Sequence, residues 1–202
     1  MVRKFTAVLF GLALIGATAG VAQVSIGAGA QWLSPSSGDY ENNLDIQMQS
    51  GFGFEGNVMF PVGQSLRVGA SGQWSSHKLK EFSTGTEAPG SASLLGIFGE
   101  GRYLFGMGAK ATPYVAGRVG YAQWSYNESG LDLKSSGLAF GGGVGVLIAM
   151  SPTLAIDVNG VYNSHSFGDI SDSGTSVSGT SGTVSALQLR AGVNFKLGGG
   201  GQ

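Results

Sequence analysis

Between residues 24 and 197 the chain repeats one pattern, apolar residues alternating with polar or very small ones, and nowhere gathers the ~18 consecutive apolar residues of a membrane helix. Leu187, Leu189, Ala191, Val193, Phe195 and Leu197 share one parity, and Gln188, Arg190, Gly192, Asn194 and Lys196 the other. From residue 66 to 74, Leu, Val, Ala, Gly and Trp alternate with Arg, Gly, Ser and Gln. A period of two marks a β-strand with one apolar and one polar face. On this reading strands run near 24–33, 51–60, 65–77, 93–105, 113–126, 137–149, 154–167 and 184–197. The five prolines fall in the connections or at a strand's first residue, where a missing N–H does not interrupt a ladder.

Composition decides what surrounds these strands. Charged residues are 11% of the chain, against a usual ~25%. An ordinary soluble domain needs a charged skin, and a disordered chain would lack the 42% hydrophobic content present here. The 37 glycines follow no three-residue period, which excludes collagen. With net charge −1 and 11 scattered basic residues, no footprint for nucleic acid exists. What remains is a chain that avoids charge because part of its surface faces something other than water.

Arg3 and Lys4, the apolar run 5–15 and the small residues 16–22 form the three zones of a secretory signal peptide. The expected organisation is a signal peptide over 1–22, a barrel over 23–197 and a flexible Gly-rich tail over 198–202. Loss of Arg3 and Lys4 takes the net charge from −1 to −3. With no Cys in the chain, disulfides, Cys-ligated metals and thiol chemistry are excluded.

Eight strands are an even number, and their connections alternate: 61–64, 106–112 and 150–153 are short, whereas 34–50, 78–92, 127–136 and 168–183 are longer and polar. Short turns at one end and long loops at the other characterise barrels of the bacterial outer membrane. The fold class expected is therefore all-β, an eight-stranded antiparallel up-and-down transmembrane β-barrel.

A soluble barrel would need Lys and Glu along its outward faces. Here the strands carry only Glu55, Arg67, Glu100, Arg102, Arg118, Asp157, Arg190 and Lys196, among Gly, Ser, Ala, Asn and Gln. Such a set suits a crowded lumen, which in an eight-stranded barrel is just wide enough for side chains to fill it. Buried charges need partners. Glu55, Glu100 and Asp157 are expected to pair with Arg67, Arg102, Arg118 and Arg190, with glycines making room. A small-residue, Gln, Trp unit occurs at 30–32, 72–74 and 122–124. Trp32, Trp74, Trp124 and Tyr162 are expected to form the outer aromatic girdle, with Phe60, Tyr103, Phe105 and Phe195 below. Trp124 shares the parity of Arg118, so a bulge or face change is expected between them.

The segments Arg102-Tyr103-Leu104-Phe105 and Thr112-Pro113-Tyr114-Val115-Ala116-Gly117-Arg118-Val119-Gly120-Tyr121 resemble middle strands of the small outer-membrane barrel family, which includes the OmpA transmembrane domain and OmpX-like proteins. The end of the last strand, with Gly192, Phe195 and Leu197, is similar to that family's assembly signal, although the chain continues through Gly198 to Gln202. The resemblance implies insertion by the barrel-assembly machinery through the last strand. Only five residues follow the last strand, so no peptidoglycan-binding domain of the OmpA kind is expected.

His77 and His165 are the only imidazoles. Ser164-His165-Ser166 resembles the outer-end His and Ser of lipid A deacylases, but neighbours on one strand point to opposite faces, so a nucleophile pair is not expected there. No catalytic set, cofactor or metal site is expected. Asp39, Glu41, Asp45, Glu81, Glu87, Glu128, Asp132, Asp169 and Asp172 outweigh Lys78, Lys80 and Lys134 in the loops. These acidic loops are the expected contact for an external ligand, with outer-membrane lipids and lipopolysaccharide as the surrounding partners. The chain is thus expected to be a monomeric outer-membrane protein with a structural and surface-contact role. A narrow ion or solute pore is the alternative, and a lipid A-modifying enzyme the second.

Overall fold

The computed structural model describes residues 23–36, 46–81, 83–106, 108–128, 131–172 and 175–197, so the expected signal peptide and the Gly-rich tail lie outside the described residues. Strands β1 (Val24–Ser36), β2 (Ile46–Val62), β3 (Leu66–Glu81), β4 (Glu87–Leu104), β5 (Ala111–Glu128), β6 (Leu131–Ala149), β7 (Leu154–Phe167) and β10 (Gly182–Leu197) form the wall. They pair in the order β5-β4-β3-β2-β1-β10-β7-β6, and β5–β6 pairing closes the ring. Every pairing is antiparallel. A short hairpin, β8 (Ile170–Asp172) and β9 (Thr175–Val177), extends the sheet from Leu133 and Lys134 at the loop end. This is the up-and-down barrel expected from the eight alternating segments.

Alternation sets the faces. Phe52, Phe54, Leu95, Ile97, Val119, Phe140, Val144, Val158 and Leu189 point outward and are exposed, while their sequence neighbours point into a packed lumen. An apolar outside and a polar inside invert the arrangement of a soluble barrel.

The strands are longer than expected. They run from 13 residues in β1 to 19 in β6, where ~9–11 suffice to cross a bilayer. The surplus lies at the loop end, because inward-facing apolar residues continue there: Met48, Leu79 and Ala92 are all buried. Register shifts fall between Met48 and Gly51 in β2 and between His77 and Leu79 in β3.

The bulge expected in β5 is absent. Residues 118–124 pair without a shift on both sides.

First and last strands meet at a glycine pair. Gly29 of β1 stands opposite Gly192 of β10. A Cβ on Gly192 would lie 2.6 Å from the Gly29 Cα, and one on Gly29 would lie 2.6 Å from the Ala191 carbonyl oxygen. Only glycines let the two backbones approach this closely at the closing seam.

Candidate functional site

The lumen is built in two storeys. Toward the short-turn end, alternate positions of β2, β4, β5, β7 and β10 project charge into the barrel axis. The Arg102 Nε donates to Glu100 Oε1 at 2.5 Å and its Nη1 to Asp157 Oδ2 at 2.9 Å. Arg190 bridges Asp157 and Glu55 through its two terminal nitrogens. Arg118 Nη1 donates to Glu55 Oε2 at 2.9 Å. Glu100, Arg102, Asp157, Arg190, Glu55 and Arg118 thus form one continuous chain of alternating sign, with three acids and three bases.

Neutral groups fill the remaining valences. The Tyr114 hydroxyl donates to Asp157 Oδ1 at 2.7 Å, and Asn194 donates to its Oδ2 at 2.9 Å. Arg118 Nε donates to Asn163 Oδ1 at 2.7 Å, and its Nη2 to Gln73 and Gln188. Gln188 donates to Glu55 at 3.0 Å and to Gln31 at 2.6 Å. A buried charge without such partners costs several kcal/mol, so the lattice is held as a unit. Glycines make the room: a side chain at Gly145 would strike the Tyr114 ring, and one at Gly141 the Asn163 amide.

Arg67 does not join this lattice. It faces the lumen directly across from Arg102, but it is half-buried at the short-turn mouth and makes no ion pair among the described residues. The expectation that all four arginines pair is corrected for Arg67. The carboxylates of Glu100 and Asp157 are already taken by Arg102 and Arg190.

Above the lattice the filling turns apolar. The Arg118 guanidinium lies 4.4 Å from the centroid of the Phe98 ring, which begins an upper cluster with Leu33, Leu94, Trp124, Tyr126 and Phe167. Trp124 and Tyr126 stack at 6.4 Å, and His165 and Phe167 at 5.8 Å. Trp124 is therefore not part of the outer girdle. It is 2% exposed and points inward, in one buried cluster with Ala122, Ala139 and Ala186. Sequence parity with Arg118 carries the correct signal, and the repeated Gln-Trp unit the wrong one. In the first two units Gln31 and Gln73 point in and Trp32 and Trp74 out, whereas Gln123 points out.

On the outer surface Trp74 is 37% exposed and Tyr162 54%, with Trp32 half-buried beside them. Just above, outward hydroxyls replace apolar residues: Ser50 donates to Ser34 at 3.0 Å, and Ser93 and Ser125 lie 2.8 Å apart. At the other rim Tyr103 and Phe105 meet edge to face at 5.1 Å, and Phe195 is exposed across the barrel from them. Among the assembly-signal residues, Phe195 and Leu197 point outward, and Gly192 lies at the closing seam.

Both histidines are buried in the upper storey. His165 points inward while Ser164 and Ser166 point outward, so those three residues do not meet. A pairing that sequence reading does not find is Ser75 with His77, two residues apart on the same face of β3, whose Oγ and Nε2 stand 2.8 Å apart. The His77 Nδ1 lies 2.9 Å from the Gln49 carbonyl oxygen at the β2 bulge. Ser75 is 0% and His77 1% exposed, so the pair braces the bulge and is closed to substrates. Of the loop acids, Asp39, Glu41 and Asp45 lie outside the described residues, while Lys78 and Glu87 form an exposed pair at 3.4 Å.

Comparison with known proteins agrees with this geometry. A family model, the outer membrane protein beta-barrel domain, matches residues 5–195. No curated protein matches by sequence. Among solved structures, Neisserial surface protein A superposes with a TM-score of 0.64 at 21% identity, covering 89% of this chain and all (100%) of that one. The outer membrane protein OprG from Pseudomonas aeruginosa gives 0.58 at 13% identity, covering 89% and 97%. A major outer membrane protein from Thermus thermophilus gives 0.57 at 16%, covering 87% and 99%. With a lipid-facing belt, a charge-paired lumen and a family match along nearly its whole length, the chain belongs to the outer membrane protein beta-barrel domain family and is an integral β-barrel of the bacterial outer membrane.

Proposed function

We propose that this barrel is a closed structural and surface-contact protein of the outer membrane, and neither a pore nor an enzyme. One observation carries the reading: the lumen is obstructed twice, by the Glu55–Arg118–Arg190–Asp157–Arg102–Glu100 lattice and by the apolar storey above it. An ion crossing the lattice would have to break charge pairs that have no water to replace them. In the upper storey it would meet the packed rings of Trp124, Phe98 and Phe167.

Function then rests on the outside. The apolar belt holds the bilayer, the aromatic and hydroxyl residues at its upper edge meet lipid headgroups and lipopolysaccharide sugars, and the acidic loops reach external ligands. Insertion proceeds through β10 and the barrel-assembly machinery, with Phe195 and Leu197 presented on its outer face. The folded barrel acts as a monomer.

Liposome swelling tests closure: purified barrel in vesicles is expected to admit no small sugar faster than protein-free vesicles, and rapid swelling would count for a pore. Cells bearing a variant with the loop acids Glu81, Glu87 and Asp169 amidated separate the outer roles. Weakened surface binding or a leaky envelope supports the contact function, and unchanged behaviour in both leaves only solvation for those charges.

A further inference from the structure

With the lattice neutral, the remaining charge is divided between the two ends of the barrel. Arg67, Lys110 and Lys196 stand at the periplasmic mouth, and no acid outside the lattice stands there among the described residues. Arg67 and Lys196 line a cavity of about 370 Å³, with the hydroxyl-bearing residues Thr112 and Ser151 in its wall. Behind it a recess of about 20 Å³ is bordered by Arg67, Arg102, Asn194 and Lys196.

We propose that this mouth is a binding site for a phosphate-bearing anion, held between the Arg67 guanidinium and the Lys196 ammonium. Like charges opposite one another on paired strands are destabilising, and Arg67 stands opposite Arg102. The carboxylates that neutralise Arg102 are committed to the lattice and do not reach Arg67. An anion from outside would offset this repulsion. A phosphate monoester carries about −1.5 to −2 charge, enough to neutralise both free bases at once, whereas one carboxylate neutralises a single base. The guanidinium fork fits two phosphate oxygens, and lysine adds a point charge. The cavity opens to the periplasm, so the phosphate can come from a soluble molecule or from a lipid headgroup of the inner leaflet.

The test uses the whole barrel in phosphatidylcholine nanodiscs, with NMR of the Arg67 Nε–H and of the amides at 151, 153 and 154. Titration with inorganic phosphate is expected to shift these signals saturably, and acetate is expected to bind at least tenfold more weakly. A second arm replaces part of the lipid with phosphatidic acid and omits free phosphate. Shifts in the first arm assign a soluble phosphate, and shifts in the second alone assign the headgroup. Either supports the site. Arg67→Gln and Lys196→Gln, each checked for the folded form by gel mobility without heating, are expected to weaken binding about tenfold or more, as loss of a charged hydrogen bond does. Lys78→Gln at the other end should leave it unchanged. No saturable shift in either arm, equal binding of acetate, or undiminished binding in both variants would overturn the proposal.

Discussion

Arg190 and Glu55 stand 135 residues apart in the chain and meet in the lumen through a buried guanidinium–carboxylate pair. Because Arg190 also holds Asp157, and Glu55 also holds Arg118, removal of either end strands a charge that water cannot reach. Arg190→Met is expected to lower unfolding stability by about 3–5 kcal/mol, the usual cost of breaking a buried pair. Arg190→Met with Glu55→Gln should cost clearly less than the sum of the two singles. Urea titration in lipid vesicles measures this, and strictly additive losses would remove the coupled lattice.

Closure of the barrel depends on the Gly29–Gly192 seam. Gly192→Ala places a methyl against the β1 backbone and is expected to cost about 1–3 kcal/mol, as overpacking does. Gly117→Ala is the control, since nothing lies within 4 Å of a Cβ there. The folded fraction in vesicles, read by gel mobility without heating, should fall for the first and not for the second.

The two positions of tryptophan separate by lipid contact. In single-Trp variants, brominated lipids are expected to quench Trp74 strongly and Trp124 weakly, because only Trp74 lies on the outer face. Equal quenching would place Trp124 in the girdle after all.

Much of this fold is legible because alternation with period two reports the face of every residue once one face is known. Leu189 and Arg190 are assigned to lipid and lumen by parity alone. Partners are not legible: that Arg190 bridges Glu55 and Asp157 depends on the stagger between strands, which no single segment encodes. Arg67 shows the same limit, since its parity is lumenal but the acids within the barrel are held by Arg102, Arg118 and Arg190. The upper storey escapes for a different reason. Met48 and Leu79 sit in segments rich in Ser, Asn and Lys that read as loops, although inward apolar residues continue there. Trp124 is misplaced when a repeated tripeptide is weighted above its own parity.

The upper storey is expected to stabilise without controlling closure. Trp124→Ala should cost about 3–5 kcal/mol through the cavity it leaves. Conductance should stay at the baseline, because the charged lattice below remains intact. Unfolding titration and bilayer recording on the same preparation check both parts.

Single-channel recording of the purified barrel in a planar bilayer tests closure of the lumen most directly. With the lattice and the apolar storey both in place, the trace is expected to show no stable open level above the bare membrane. Cutting the lattice at its Arg118–Glu55 end together with the plug, Arg118→Ser and Glu55→Ser with Trp124→Ala and Phe98→Ala, should then raise it. A long-lived open state of appreciable conductance in the unmodified protein would contradict a sealed barrel and make it a pore.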